Sequence, residues 1–290
     1  MAGKSGWQLR EGEQVIACKT GLLAPKHFLI GITRVRNEAL ILRDTLDYVG
    51  KQVDAIVAYD DASTDQTLEI LAGHPKVALI VSNRLWEAGI EARRIAEGRH
   101  RGLLLQTARE QLRFDWMFCF DPDERVTGDL RGFLEGMHSS DCDGLRVQLF
   151  DAYLTPDDHE PYRDDRELLG FRRFFGPERR DILMLWRNRV DVTFAEKHGR
   201  EPGGVERVET GLYCQHYASR CRSTIGKRPA ITTCGTFLST PTGENGAIAK
   251  VGQSTPNLTS CGPCTSGVTR CSRTRSGCEP GSPLRVKRVG

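Results

Sequence analysis

Short apolar runs and helical periodicity alternate along the first half of the chain. Residues 28–34 (FLIGITR) have the length and composition of a buried strand. From Ala39 onward, apolar residues recur at helical spacing, and Gly50 favours the end of that helix. Ser63 and Gln66 form a capping-box pattern that predicts the start of a second helix. Further strands are predicted at residues 53–60, 77–82 and 115–120, and a long arginine-rich helix at residues 87–112.

This alternation of strands and helices predicts right-handed βαβ units. The strands of such units pair mainly in parallel, and helices cover the faces of the sheet. The sequence therefore predicts an α/β fold with a mostly parallel central sheet. Ligands of such sheets bind beyond the carboxyl ends of the strands, so the polar residues that follow each strand are the candidate functional residues.

Polar and acidic side chains do follow the predicted strands. They are Arg34, Arg36, Asn37 and Glu38 after the first strand, Asp60, Asp61, Ser63 and Asp65 after the second, and Asp121, Asp123 and Glu124 after the fourth. Carboxylates at neighbouring strand ends repel one another unless a cation or hydrogen-bond donors hold them. Hard oxygen ligands of this kind select Mg²⁺ or Mn²⁺, usually shared with substrate phosphates. The chain contains neither GxGxxG nor a P-loop motif, so a metal ion and side chains would have to hold the phosphates.

Three segments, in order, resemble the nucleotide-sugar-binding half of family 2 glycosyltransferases, which have the GT-A fold. They are ITRVRNEALILRDTLDYV, AYDDASTDQTLEIL and WMFCFDPDERV. The second is similar to the family's VDDGSTD element, with Ala62 in place of the usual glycine. The third is similar to the DxD motif, formed here by Asp121 and Asp123 and followed by a glutamate as in the DxDE subset. The resemblance covers about residues 28–127 and implies a GT-A-type three-layer α/β/α fold.

The resemblance implies roles for the residues after the first two strands. Thr33, Arg36 and Glu38 would border the nucleotide of the donor. Asp61 would accept a hydrogen bond from the nucleobase, and Asp60 would lie beside it. The alternative for this pair of aspartates is a simple turn after a strand, where Asp is common.

The resemblance also implies a metal site. Asp121 and Asp123 would coordinate a divalent cation, Mn²⁺ or Mg²⁺, that bridges the diphosphate of the donor, so Asp121 would also be part of donor binding. His216, near the end of the domain, would be a further metal ligand. Arg99 and Arg101 would face the donor. The alternatives are a structural or surface histidine and a solvated arginine-rich helix face.

The catalytic base is left open among three residues. The family carries a carboxylate in an ED-type element before its last strand, and no clean ED occurs in this chain. Residues 194–201 (FAEKHGRE) offer Glu196, His198 and Glu201 at about that place. A base at this position would take the proton of the attacking acceptor hydroxyl.

The end of the chain differs in composition from the rest. The 290 residues carry a net charge of +3, but residues 1–218 carry −6 and residues 219–290 carry +9. Half of the last 72 residues are Gly, Ser, Thr or Pro, and Phe237 is the one aromatic among them. Such a segment has too little apolar surface to offset the entropy of ordering. We therefore predict a disordered tail over residues 218–290, and translation in an altered reading frame after Tyr217 would also give this composition.

The predicted organisation has three parts. Residues 1–27 are an N-terminal extension, residues 28–217 the GT-A glycosyltransferase domain, and the remainder the tail. The domain divides into a nucleotide-sugar-binding half, residues 28–127, and an acceptor half, residues 128–217. No apolar run reaches the roughly 18 to 20 residues that span a bilayer, and the N-terminus lacks the apolar core of a secretory signal. A cytoplasmic location is expected, with peripheral membrane association left open.

The function these observations predict is that of a metal-dependent glycosyltransferase. It would move a sugar from a nucleotide-diphosphate donor to a hydroxyl of a saccharide, lipid-linked or other acceptor, and the resemblance implies inversion at the anomeric carbon. No nucleic-acid partner is expected. Two alternatives stay open, a nucleotidyltransferase of similar fold and a non-catalytic nucleotide-binding or inactive product. The donor sugar and the nucleobase are not encoded in any of these motifs.

Overall fold

The computed structural model describes residues 6–137, 141–155, 158, 160–217 and 249–250. The described strands are β1 (Glu13–Ala17), β2 (Lys26–Val35), β3 (Ala55–Asp61), β4 (Val77–Asn83), β5 (Arg113–Cys119), β6 (Glu124–Thr127), β7 (Gly144–Ala152), β8 (Phe174–Arg187), β9 (Val208–His216) and β10 (Ala249–Lys250). The described α-helices are α1 (Ala39–Gly50), α2 (Thr67–Gly73), α3 (Ile90–Gln111) and α4 (Leu130–Met137). The four predicted strands correspond to β2–β5, and the three predicted helices to α1–α3.

The described strands form one mixed sheet in the order β1-β4-β3-β2-β5-β8-β7-β9-β6, and β10 pairs with β8. The adjacent strands β4, β3, β2 and β5 run parallel to one another. β1 is antiparallel to β4, and β8 is antiparallel to both β5 and β7. Every residue of β3 is buried, which is typical of a parallel strand covered on both faces.

Helices cover both faces of the sheet. On one face, apolar residues of α1, α2 and α4, such as Leu42, Leu71 and Leu134, pack in one core cluster with the strands. On the other face, α3 contributes Leu104 and Ala108 to a second cluster. The predicted fold class, a three-layer α/β/α arrangement around a mostly parallel central sheet, is confirmed.

The start of α2 differs from the prediction. The helix begins at Thr67, four positions after the predicted capping residue Ser63, and Gln66 makes no side-chain capping hydrogen bond with a described residue. Ser63 Oγ instead accepts the N–H of Asn37 at 3.0 Å, and Asp65 Oδ1 accepts the N–H of Thr67 at 3.0 Å. The predicted capping box was wrong because the serine hydroxyl binds a neighbouring loop.

A buried ion pair fixes the N-terminal strand. β1 lies within the segment predicted to be an extension, and it extends the sheet beside β4. Glu13 on β1 receives two hydrogen bonds from the guanidinium of Arg99 on α3, at 2.5 and 2.7 Å. The two side chains are 2% and 3% exposed. Tyr59 on β3 also donates its hydroxyl to Glu13 at 2.6 Å, so this one carboxylate joins three elements.

The C-terminal predictions fall mostly outside the described residues. The chain divides into a compact unit, Met1–Asn257, and a second unit, Leu258–Gly290, which lies wholly outside the described part. Of the tail predicted over residues 218–290, the described piece is β10, whose two residues pair with β8. The predicted boundaries stay predictions. Among the described helices, none has the length and apolar character needed to cross a bilayer.

We expect Glu13→Gln to lower the free energy of unfolding by about 3 kcal/mol, because the guanidinium of Arg99 is then buried without a charged partner. Glu91→Gln is the control, since Arg94 and Glu91 form an ion pair whose side chains are 77% and 68% exposed, and exposed pairs contribute about 0–1 kcal/mol. Urea unfolding of the wild type and both variants measures the two losses. Equal losses would contradict a structural role for the buried pair.

Candidate functional site

The candidate site lies where the loops after β2, β3 and β5 meet. Arg34, near the end of β2, donates from Nη2 to Asp61 Oδ2 at the end of β3, at 2.7 Å. Arg101 of α3 donates from Nη2 to Asp121 Oδ1, two residues beyond β5, at 3.0 Å. Because the three strands are parallel neighbours, their polar ends reach the same edge of the sheet.

Side-chain hydrogen bonds join the loop after β2 to the loop after β3. Asn37 Oδ1 accepts the N–H of Thr64 at 2.7 Å, and Asp65 Oδ2 accepts the N–H of Ala39 at 3.2 Å. Asn37 has a φ of +52°, a left-handed conformation that asparagine adopts more readily than most residues. The two loops are therefore fixed to one another at the edge of the site.

The turn after Asp61 contains the residue that departs from the family's glycine. Ala62 has a φ of +53°, a conformation that glycine adopts freely and that costs other residues about 1–2 kcal/mol. Arg36 Nη1 donates to the carbonyl oxygens of Asp61 and Ala62 at 2.5 and 2.7 Å. Its guanidinium also lies 4.1 Å from the centroid of the Trp86 ring. Arg36 thus holds the strained turn in place.

A small pocket opens beside Asp61. Asn83 Nδ2 lies 3.5 Å from Asp61 Oδ1, and Trp86, which also lines the pocket, is 43% exposed. The other lining residues include Arg10, Glu11, Glu13, Leu85, Arg99 and His100. A carboxylate, an amide and an exposed aromatic ring are groups that can bind the edge and the face of a nucleobase.

His100 is a buried neutral imidazole in the wall of this pocket. Its ring stacks on Tyr59, with centroids 3.8 Å apart and an interplanar angle of 17°. Its Nδ1 accepts the N–H of Arg34 Nε at 3.0 Å. Burial lowers the pKa of His100 to about 2, and the charges of Arg34 and Arg99 act in the same direction. An imidazole that stays unprotonated keeps its acceptor nitrogen and so helps to orient Arg34 toward Asp61.

Arg99, which the resemblance places facing the donor, lines the pocket with its charge already compensated. Its guanidinium binds Glu13 and also donates to the carbonyl oxygen of Gln8 at 2.8 Å. Its side chain is 3% exposed. Burial opposes ionisation, but the hydrogen bond and charge of Glu13 raise the pKa of Arg99. A role for Arg99 in donor binding stays a prediction.

Two arginines hold the acidic loop after β5. Asp121 receives Arg101 Nη2 on one oxygen at 3.0 Å and Arg200 Nη1 on the other at 2.9 Å. Arg200 also binds both oxygens of Glu124, each at 2.5 Å. Glu124 Oε2 accepts the N–H of Asp121 at 3.0 Å, which closes the turn. Asp121, one of the two aspartates predicted as metal ligands, therefore binds guanidinium groups with both of its oxygens.

Positive charges surround Asp121. Burial acts to raise the pKa of its carboxyl, but the neighbouring cations hold that pKa below its usual value. These cations are Arg200, Arg101, His216 and Arg34. Because Arg34 also binds Asp61, the pocket and the acidic loop belong to one electrostatic environment.

His216, the last residue of β9, lies between two carboxylates. Its Nδ1 is 2.7 Å from Asp151 Oδ1, and its Nε2 is 3.7 Å from Asp123 Oδ2. Burial lowers its pKa, but the hydrogen bond with Asp151 and the charges of Asp123 and Glu124 outweigh it and raise the pKa of His216 to about 9. The structure therefore brings together two of the three predicted metal ligands, Asp123 and His216.

The predicted ligands fit a divalent cation only in part. The separation of 3.7 Å between Asp123 Oδ2 and His216 Nε2 suits two ligands of one cation, since octahedral ligands about 2.1 Å from a metal lie about 3–4 Å apart. Asp121 does not fit, because arginines already bind both of its oxygens. Across the described residues, no three His, Cys, Asp or Glu side chains converge as a metal site requires.

The three candidate bases lie on the segment between β8 and β9. Glu201 binds Arg146 with both oxygens, at 2.9 and 3.0 Å. Glu196 is exposed at the start of a 3₁₀ turn, Glu196–His198, and the side chain of His198 lies outside the described set. Of the two candidates with described side chains, Glu196 is the more exposed to solvent, and the choice of base stays open.

The remaining predicted donor-binding residues are Thr33 on β2, Asp60 on β3 and Glu38 directly before α1. Thr33 and Asp60 are 1% and 2% exposed. Asp60 Oδ1 has no hydrogen-bond partner among the described atoms, and burial raises the pKa of this carboxyl. The backbone N–H of Glu38 donates to Thr67 Oγ1 at 2.9 Å, before the first turn of α1. Contact of these three residues with a nucleotide stays a prediction.

Sequence reasoning missed three charged partners of the predicted site residues: Arg200, which binds Asp121, Glu13, which binds Arg99, and Asp151, which binds His216. Arg200 lies within the FAEKHGRE segment, where the acidic residues and the histidine were considered as candidates. Glu13 and Asp151 lie outside the three segments that resemble the family. The signal that could have found Arg200 is electrostatic, since crowded carboxylates require cations from somewhere in the chain.

No protein-family model matches the chain. The chain is similar to Mb3815c, an uncharacterized protein of Mycobacterium bovis, with 35% identity over 112 residues that cover 35% of this chain and 25% of that protein. The Mycobacterium tuberculosis protein Rv3786c, also uncharacterized, matches to the same extent. The chain thus spans about a quarter of the length of these curated relatives.

Among solved structures, the chain is similar to S. aureus TarS 1-349 in complex with UDP, with a TM-score of 0.43 and 16% identity over 66% of this chain and 61% of that one. It is also similar to the mannosyltransferase PcManGT from Pyrobaculum calidifontis in complex with GDP-Man and Mn²⁺, with a TM-score of 0.32 and 19% identity over 46% and 37%. The activity of this chain has to be argued from its own site.

The buried imidazole of His100 predicts a pH dependence of stability. Its pKa is lowered from 6.5 to about 2 on folding, so below pH 6.5 the unfolded chain binds a proton that the folded chain does not. The stability is therefore present above pH 6.5 and lost as the pH falls, by about 1.4 kcal/mol per pH unit for this one group. His100→Gln keeps an acceptor for Arg34 and removes the titration. Urea unfolding at pH 7.5, 6.0 and 5.0 should show a shallower decline in the variant, and parallel curves would refute the buried neutral imidazole.

Proposed function

We propose that the chain is a nucleotide-sugar transferase of the family 2 glycosyltransferase type. It would transfer the sugar of a nucleotide-diphosphate donor to an acceptor hydroxyl and release the nucleoside diphosphate. The observation that supports this best is the shared edge of the sheet, where a pocket beside Asp61 and the acidic loop at Asp121 both lie near Arg34. One end of this edge suits a nucleobase and the other a diphosphate.

At the nucleobase end, Asp61 would accept a hydrogen bond from a ring N–H. Arg34 binds the other side of the same carboxylate at 2.7 Å, and His100 fixes Arg34 in turn at 3.0 Å, so the acceptor is oriented before the ligand arrives. Such preorganisation reduces the ordering cost of binding. Trp86 presents an exposed ring on which a base could stack.

At the diphosphate end, Asp123 and His216 would hold a divalent cation, Mn²⁺ or Mg²⁺, and binding would release the proton that the raised pKa of His216 keeps on the imidazole. When bound, such a cation neutralises the charge that develops on a leaving diphosphate. Arg101 and Arg200 bind Asp121 from two sides and so keep the acidic loop in one conformation. Stabilisation that is aimed at the developing charge lowers the barrier more than it strengthens ground-state binding.

The acceptor hydroxyl would attack the anomeric carbon from the face opposite the leaving diphosphate, with inversion as the resemblance implies. Its proton would pass to a base on the segment that carries Glu196, His198 and Glu201. Glu201 is held by Arg146, which favours the other two. A positioned base of this kind contributes roughly two to four orders of magnitude in rate.

We expect Asp61→Asn to weaken binding of a nucleoside diphosphate by about ten- to a hundredfold, because it removes one charge-assisted hydrogen bond. Asp115→Asn is the matched control, since Asp115 pairs with Lys26 at the opposite end of β5. Isothermal titration with a nucleoside diphosphate and with inorganic diphosphate measures both effects. If Asp61→Asn weakens the two ligands equally, Asp61 does not recognise the base.

Asp123→Ala should abolish the part of nucleotide affinity that depends on Mn²⁺ and leave the fold intact. Asp123 is half-buried at a strand end and its carboxylate faces His216, so its loss removes a metal ligand and no part of the core. Titrations with and without Mn²⁺, together with circular dichroism, test this. An unchanged Mn²⁺ effect in the variant would remove Asp123 from the metal site.

A product assay decides the reaction class. The wild-type protein, incubated with candidate nucleotide sugars, acceptors and Mn²⁺, should release nucleoside diphosphate together with a new glycoside. Formation of a nucleotide sugar and diphosphate from a sugar phosphate and a nucleoside triphosphate would instead indicate the nucleotidyltransferase alternative. Nucleotide binding without either product would indicate a binding protein.

A further inference from the structure

The guanidinium of Arg200 binds two carboxylates of the acidic loop, Asp121 and Glu124. Its Nη1 is 2.9 Å from Asp121 Oδ2 and 2.5 Å from Glu124 Oε1. A divalent cation bridging these carboxylates would coordinate the same oxygens at about 2.0–2.2 Å. One pair of carboxylates cannot serve both cations at once, so Arg200 and a metal ion exclude each other here.

Arg200 is held firmly in this position. Its second nitrogen, Nη2, binds the other oxygen of Glu124 at 2.5 Å, which gives the two-pronged contact that guanidinium makes best with a carboxylate. The side chains of Arg200 and Glu124 are 15% and 2% exposed. Burial opposes ionisation, but the charges of Asp121 and Glu124 raise the pKa of Arg200 well above its usual value.

The segment that carries Arg200 is anchored on the helix that supplies the other arginine. The 3₁₀ turn before Arg200 lies so close to α3 that a Cβ on Gly98 would be 2.5 Å from the carbonyl oxygen of Ala195 and 2.9 Å from that of Glu196. Three residues along α3 from Gly98, Arg101 binds the opposite oxygen of Asp121. The close packing of this segment against α3 therefore fixes the backbone that leads to Arg200.

We propose that Arg200 is the resident cation of the Asp121–Glu124 pair and competes with divalent metal ions for it. Asp121 then acts as a positioning residue that fixes Arg101 and Arg200, and metal binding is confined to Asp123 and His216. This role of Arg200 rests on the proposed function, because the same edge of the sheet would hold the diphosphate of the donor. It can be tested separately from nucleotide binding, since it predicts how tightly the protein binds a metal ion when no nucleotide is present.

Titration of the full-length protein with Mn²⁺ alone, followed by electron paramagnetic resonance of free Mn²⁺, tests the proposal. Arg200→Gln removes the guanidinium from Asp121 Oδ2 and from both oxygens of Glu124, so we expect the affinity for Mn²⁺ to rise at least tenfold above that of the wild type. Arg207→Gln is the matched control, because Arg207 binds Asp143 in a similar two-pronged contact at 3.0 and 3.1 Å elsewhere on the protein. Its Mn²⁺ affinity should equal that of the wild type.

Asp121→Asn in the wild-type background gives an independent test should Arg200→Gln fail to fold. If Arg200 excludes metal from Asp121, this substitution leaves the Mn²⁺ affinity unchanged. A tenfold loss in Asp121→Asn, or an Arg200→Gln protein that binds Mn²⁺ no more tightly than the wild type, would overturn the proposal. Failure of nucleotide binding in a separate titration would count against the proposed function and leave these Mn²⁺ results standing.

Discussion

Repulsion among carboxylates at the carboxyl ends of β3 and β5 is the constraint on which the site depends. Asp61 and Asp121 are each compensated by a cation from another element, Asp61 by Arg34 of β2 and Asp121 by Arg101 of α3. The later half of the chain supplies Arg200 and, at the end of β9, His216. Charge compensation thus joins the two halves of the chain at one edge of the sheet, because no local segment contains both signs in the required place.

The first half of the fold could be predicted because its strands are buried on both faces. β3, with every residue buried, produces a continuous apolar run that is hard to mistake, and helical periodicity marks α1 between β2 and β3. The later strands β7, β8 and β9, in which β8 runs antiparallel to β7 and β9 runs parallel to it, carry no such signal. At α2, the predicted capping box does not form, because Ser63 Oγ accepts the N–H of Asn37 in a neighbouring loop.

The carboxylates of the site could be placed from the sequence, whereas their partners could not. Asp61 ends β3, and Asp121 and Asp123 lie in the short turn between β5 and β6, so a short motif is enough to locate them. Arg200 reaches Asp121 across 79 positions of sequence, and Arg99 reaches Glu13 across 86. Contacts at such separations depend on the whole fold, and a single sequence contains no spacing that reports them.

The place of β1 has a thermodynamic consequence for the pocket. Strands at the edge of a sheet open locally at a smaller free-energy cost than central ones, and among the described strands β1 pairs with β4 alone. Glu13 on β1 is nevertheless part of the pocket wall. A ligand of the pocket would therefore bind only molecules in which the strand is in place, and its apparent affinity would scale with that population. By linkage, the same ligand would slow amide hydrogen exchange in β1, although the strand need not touch the ligand.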